Sequence, residues 1–205
     1  MTSRENEIKN MVKERYSNIA KSGSACCSPE CCGGLSNPVQ ILDTGQKVGY
    51  TNDQLTIGLG EANLGLGCGN PIGLADLKPG ERVVDLGSGA GFDAFLAAKG
   101  VGPEGKVIGV DMTPEMINKA KKNAEGLNVS NVEFRSGEIE KLPVADDSVD
   151  VVLSNCVINL SPNKRAVYGE IFRVLKPGGR ISISDVLRSG ELPDKIKNDP
   201  RAYTG

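Results

Sequence analysis

Histidine and tryptophan occur nowhere in the 205-residue chain. Without imidazole there is no histidine general base, no histidine-containing zinc site and no Ser-His or Cys-His nucleophile pair. Any chemistry the chain performs proceeds by other means. Aromatic residues are scarce, four Phe and four Tyr, too few to line a large stacking pocket. No uninterrupted apolar run approaches the roughly 20 residues of a bilayer span. The opening MTSRENEIKNMVKE is polar and charged and has no signal-peptide character, so a cytoplasmic location is expected. A net charge of -2 gives no footprint for nucleic acid or an anionic membrane.

Glycine and cysteine are what the chain has in quantity. The 26 glycines are nearly twice the usual share of about 7% and announce tight turns and close backbone approaches. Of the six cysteines, Cys26, Cys27, Cys31 and Cys32 crowd into SACCSPECCGG, Ser24 to Gly34. In a reducing compartment such clusters bind soft ions or do redox chemistry more often than they form structural disulfides. The C-C-x3-C-C spacing lacks the C-x2-C of a comfortable tetrahedral zinc site. With 39% hydrophobic and 24% charged residues, the composition is that of a globular domain with an extension at one end.

Residues 2–20 carry Ile8, Met11, Val12, Arg15, Tyr16 and Ile19 at helical spacing, with Thr2 and Glu5 placed for a capping box. Residues 22–38 read as a loop. Residues 39–70 show no assignable element and end in the glycine-dense GLGEANLGLGCGNP, expected to lie against the domain that begins at residue 71. From Glu81 onward strands alternate with helices. A strand at 82–86 leads through a glycine turn to a helix from Phe92, and a second strand runs over 106–110. The next helix has Thr113 at its N-cap, Pro114 at its first position and Gly126 at its end. NVEFRSG, SVDVVLSN and GRISISDV are further strands, the last preceded by a helix at 163–175 that stops at Pro177-Gly178-Gly179. The expected fold is α/β, a doubly wound, mostly parallel sheet. The expected division is an N-terminal helix and Cys-rich lid segment (1–70) and a nucleotide-binding domain (71–205).

VVDLGSGAGFD is a strand–turn–helix in which Gly87, Gly89 and Gly91 let a ligand approach the backbone. Phe92 stands where a dinucleotide fingerprint has its last glycine, so the NAD pattern is not met. Asp111 ends the second strand, where an acid meets ribose hydroxyls in doubly wound folds; taken alone it also reads as a helix-capping acid. The carboxyl ends of parallel strands open on one crevice. Cys156 comes just after the fourth strand and sits at that lip, unless it is merely a small buried apolar residue. Cys68 immediately precedes the domain, placed to cross the same mouth or to be an incidental thiol. The N-terminal cysteines come after a helix able to fold back as a lid, or form a zinc or oxidised site apart from it.

DLGSGAGFD, VDMTPEMI, GEIEKLPVADDSVDVV and RVLKPGGR, in this order, resemble the motifs of the Rossmann-like class I S-adenosylmethionine-dependent methyltransferases over about residues 75–190. The resemblance implies S-adenosyl-L-methionine as cofactor. The loop of Gly87, Ser88, Gly89 and Gly91 would cradle its methionine part, and Asp85 would support the loop or the cofactor amine. Asp111 would take the ribose, Gly137, Glu138 and Ile139 would lie against adenine, and Met112 and Asn155 would complete the contacts. Three thiols beside a methyl sulfonium would form a trigonal cage suited to soft As(III). The arsenic lone pair is itself the nucleophile, so no base is needed.

The N-terminal helix with Tyr16, SACC, GCGNP, these motifs and SNCVINL together resemble the arsenite methyltransferases. That family implies arsenic ligation and catalysis by Cys26 (or Cys27), Cys68 and Cys156, with a thiol reductant such as glutathione or thioredoxin as co-substrate. Cys31 and Cys32 have no clear counterpart. The implied role is arsenic detoxification by a monomer with a small-molecule metalloid substrate, engaging neither nucleic acid nor membrane. The family runs on past residue 205, which implies a chain truncated at its C-terminus, with late strands and a C-terminal domain missing. Two other readings stay open: a class I methyltransferase for a small quinone- or sterol-like substrate, and a non-catalytic metalloid-binding protein.

Overall fold

β-Branched runs between glycine turns fold as parallel strands because both faces are covered by helices. In the computed structural model, residues 3–22, 38–57, 61–191 and 199 are described. Their strands are β1 (Arg82–Leu86), β2 (Lys106–Asp111), β3 (Val132–Ser136), β4 (Val149–Asn155) and β5 (Leu175–Ser184). They form one sheet in the order β3-β2-β1-β4-β5, every neighbouring pair parallel. The order reverses at β1, which places a crevice at the carboxyl ends of β1 and β4.

Alternation along the strands feeds two cores. Val83, Val107, Val151 and Leu153 pack on one face against α5 (Phe92–Val101) and α6 (Pro114–Gly126). Val84, Leu86, Ile108, Val110 and Val152 pack on the other against α7 (Lys164–Val174). Both faces being buried, β1 and β4 carry almost no exposed residue between their ends. Helix α6 starts as the sequence predicts, with Pro114 at its first position, although Thr113 makes no side-chain cap. Helix α7 ends at Val174 and β5 begins at once. Leu175 pairs with Val149, the Lys176–Gly179 stretch bulges out, and pairing resumes at Arg180.

Ahead of the sheet, α1 (Ser3–Ser22) lies against α6 and buries Ile8, Val12 and Ile19. The expected Thr2 cap falls outside the described residues. Residues 38–57 are more regular than their composition suggests. They contain α2 (Pro38–Lys47) and α3 (Asn52–Leu55), the latter with a full capping box between Thr51 and Gln54. Helix α2 admits a glycine because a Cβ on Gly45 would overlap the Leu55 side chain. Residues 67–69 then cross the ends of β4 and β5, and a short α4 (Pro71–Ala75), capped by Asn70, leads into β1. Among the described residues no helix is long and apolar enough to cross a membrane.

Candidate active site

The turn after β1 opens the crevice. Gly87, Gly89 and Gly91 take φ of 62°, 51° and 99°, the region that favours glycine. A Cβ at Gly87 would strike Val157 and one at Gly91 would meet Phe134 and Phe95 at 2.8 Å, whereas one at Gly89 would meet nothing within 4 Å. The first and third glycines thus serve packing, and the middle one leaves space in which a ligand can approach the chain closely. The cleft, about 1300 Å³ with its open mouth, is lined by this turn, Asp111, Met112, Gly137, Ile139, Asn155 and Cys156. Helix α1 adds Lys9, Val12 and Tyr16 to the wall. Glu138 lies just outside, its carboxylate 2.7 Å from Lys9 Nζ, which also reaches Glu140 at 3.2 Å.

Three carboxylates surround the floor. Among the described residues neither the buried Asp85 Oδ2 nor the buried Ser88 Oγ has a hydrogen-bond partner. Burial, reinforced by the charges of Asp93 and Asp111, pushes the Asp85 carboxyl well above the usual range. Asp111 accepts from Thr113 N at 2.8 Å and Gly89 N at 3.0 Å. Its pKa is raised by burial against those bonds, and it ties the end of β2 to the glycine turn. Each of its oxygens keeps lone-pair capacity for a ligand hydroxyl. An acidic floor with two orphaned polar atoms suits a ligand bearing cationic and hydroxyl groups.

Beside the glycine turn two thiols meet. Cys156, just past β4, has φ 58°, a left-handed conformation that costs a non-glycine residue about 1–2 kcal/mol, and its amide donates to Ser184 O at 2.8 Å. Cys68 comes from the glycine loop, its Sγ 3.8 Å from the same carbonyl. The two thiols interact, which lowers the Cys68 pKa and, together with burial, raises that of Cys156. Both are free and half-buried. Among the described residues no group of three metal-ligating side chains assembles. Cys26 and Cys27, like Cys31 and Cys32, lie outside the described residues.

Asn155 closes the site from the end of β4. Its Oδ1 accepts from Cys68 N at 3.0 Å, and its Nδ2 reaches Gly69 O, Asp93 Oδ2 and Tyr50 Oη at 2.9–3.0 Å. Tyr50 donates to Asp93 Oδ1 at 2.6 Å. The two donors oppose the burial that raises the Asp93 pKa, and burial beside Asp93 keeps the Tyr50 phenol protonated. Sequence reasoning does not single out Tyr50, Asp93 or Lys9. Only Asp93 leaves a trace, a lone carboxylate in the otherwise apolar FDAFLAA of α5.

A family model described as a methyltransferase domain matches residues 77–205. The chain is 52% identical over 204 residues to an arsenite methyltransferase of Halobacterium salinarum, an alignment covering 97% of this chain and 52% of that protein. It is 45% identical over 199 residues to an arsenite methyltransferase of Aquipseudomonas alcaligenes, covering 94% and 54%. The crystal structure of an arsenic(III) S-adenosylmethionine methyltransferase from Chlamydomonas reinhardtii superposes with a TM-score of 0.62 at 40% identity, covering 78% of this chain and 54% of that one. The chain spans about half the length of the curated relatives it matches.

Proposed function

The chain belongs to the class I S-adenosylmethionine-dependent methyltransferases, and from that premise we propose that it methylates trivalent arsenic held by cysteine thiolates. The observation that carries this reading is that Cys68 and Cys156 gather at the same Ser184 carbonyl beside the glycine-turn cleft. A pair of soft sulfur ligands selects a soft ion over magnesium or calcium.

The cleft residues fit S-adenosylmethionine. The unpartnered oxygen of Asp85 suits its ammonium, Asp111 its ribose hydroxyls, open Gly89 its close approach, and the Gly137–Ile139 loop its adenine. When bound, it supplies a methyl group on a positively charged sulfur. An arsenic lone pair held in line with that methyl would form the As–C bond as the S–C bond broke, and the electrons of that bond would stay on the sulfur of S-adenosylhomocysteine. No proton has to be removed first, consistent with a site that holds no imidazole. Thiolate ligation by Cys68, Cys156 and a third thiol, Cys26 or its neighbour Cys27, orients the lone pair. The product arsenic is pentavalent, so two thiol groups, from two glutathiones or one thioredoxin, would return it to As(III) and leave as a disulfide.

The test is to incubate the protein with arsenite, S-adenosylmethionine and a thiol reductant. Methylarsenicals are expected, with one S-adenosylhomocysteine formed for every methyl group found on arsenic. Cys156→Ser should abolish arsenite binding while leaving S-adenosylmethionine affinity unchanged. Cofactor binding without any methylarsenical, in a protein whose arsenite affinity ignores Cys156→Ser, would sink the reading.

A further inference from the structure

Cys68 stands on a loop without regular secondary structure, so its thiol goes where the loop is held. One side chain grips that loop on both sides of the cysteine. Asn155 Oδ1 accepts from the Cys68 amide at 3.0 Å, and Asn155 Nδ2 lies 3.0 Å from Gly69 O. The glycines flanking Cys68 make the approach possible. A Cβ at Gly67 would come within 2.6 Å of Asn155 Nδ2, and one at Gly69 within 2.5 Å of the Ser184 side chain.

What aims the amide lies behind it. Asp93 accepts from Asn155 Nδ2 at 2.9 Å through one oxygen and from the Tyr50 hydroxyl at 2.6 Å through the other. An ionised carboxylate only accepts. Turning the Asn155 amide over would set its oxygen against Asp93 Oδ2 and its NH2 against the Cys68 N–H, so both contacts would become repulsive. Asp93 thereby decides that Oδ1 faces Cys68. Tyr50 is itself held, its ring centroid 5.2 Å from that of Phe92. Asp93 and Asn155 are at the N-terminus of α5 and the carboxyl end of β4, both rigid parts of the cofactor fold. We infer that Asn155, aimed by Asp93 and Tyr50, is a positioning residue that sets the Cys68 sulfur against Cys156. The purpose of that placement rests on the arsenic reading; the placement itself is that of any dithiol trap.

The test uses the full chain with Cys26, Cys27, Cys31 and Cys32 replaced by Ser, so that the pair alone is read. The probe is phenylarsine oxide, whose arsenic takes two thiolates, titrated in parallel with S-adenosylhomocysteine. Tyr50→Phe keeps the ring and loses the hydroxyl, and weakens probe binding about fivefold, the scale of one net hydrogen bond. Asn155→Asp, nearly isosteric, faces Asp93 with a second acceptor and weakens it tenfold or more. Gly67→Ala removes no polar group yet displaces the loop from Asn155, and acts in the same direction. For Tyr50→Phe and Gly67→Ala, S-adenosylhomocysteine affinity stays within twofold, a split that general loss of structure would not produce. Unchanged probe affinity in Tyr50→Phe and Gly67→Ala overturns the inference, as does an equal loss of both affinities. A protein that methylates no arsenite but binds the probe in this Asn155-dependent way would end the arsenic reading and keep this one.

Discussion

Asp85 is 2% exposed with one carboxyl oxygen unpartnered, an arrangement that disfavours folding and favours a cationic ligand. Its folded pKa lies well above 3.8, so between that ordinary value and the folded one the native state keeps a proton the unfolded chain has lost. Stability therefore falls as pH rises through this window, and the penalty is complete above the folded pKa. Asp85→Asn should unfold like the parent near about pH 4 and become progressively more stable than it as pH rises, while binding S-adenosylmethionine more weakly. Urea unfolding across that range checks this; a gap that does not change with pH refutes it. The glycine turn divides in the same way. Gly87→Ala adds contact with Val157 to its backbone strain and should cost about 2–4 kcal/mol. Gly89→Ala has free space and should cost about 1–2 kcal/mol, but its methyl would stand where the ligand approaches and reduce cofactor affinity at least about tenfold, 1.4 kcal/mol. Thermal melts beside calorimetry separate the two.

Among the elements, α1 carries a charge into the site that its own periodicity does not require. The Lys9 side chain is 12% exposed and the Glu140 side chain it faces 11%, with Ser161 Oγ donating to Glu140 at 2.6 Å. Lys9→Met fills the same volume and removes the ion pairs to Glu138 and Glu140, so α1 should loosen from the Glu138–Lys141 turn at a cost of about 1–3 kcal/mol. Hydrogen exchange localised to α1 and that turn is the expected signature; exchange matching the parent would mean that Ile8, Val12 and Ile19 hold the helix unaided. The glycine loop around Cys68 shows the opposite economy. It gains its place from Asn155 and Ser184, residues of other elements, rather than from regular structure of its own.

At the scale of the whole molecule, the cleft draws its walls from α1, the glycine loop, the turn after β1 and the ends of β2 and β4, so one ligand joins segments from across the chain. S-adenosylhomocysteine at about 100 times its Kd should stabilise the fold by about 2.7 kcal/mol, or roughly 5–10 °C for a chain of this size. A melting temperature indifferent to it would mean that the cleft does not take the nucleoside.

The sheet and its helices from 82 to 184 are legible in the linear chain because strand alternation, proline at a helix start and glycine at a turn act over a few residues. The glycine turn and Asp111 are legible for the same reason, each being tied to the end of one strand. Helices α2 and α3 escape such reading: α2 tolerates Gly45 only because Leu55, beyond the intervening turn, needs the space. The meeting of Cys68 with Cys156, and the Tyr50–Asp93–Asn155 network that holds Cys68 in place, belong to tertiary structure alone. Their hydrogen bonds join residues separated by 43, 62 and 87 positions, and no local periodicity records which distant side chains a parallel sheet brings to one edge.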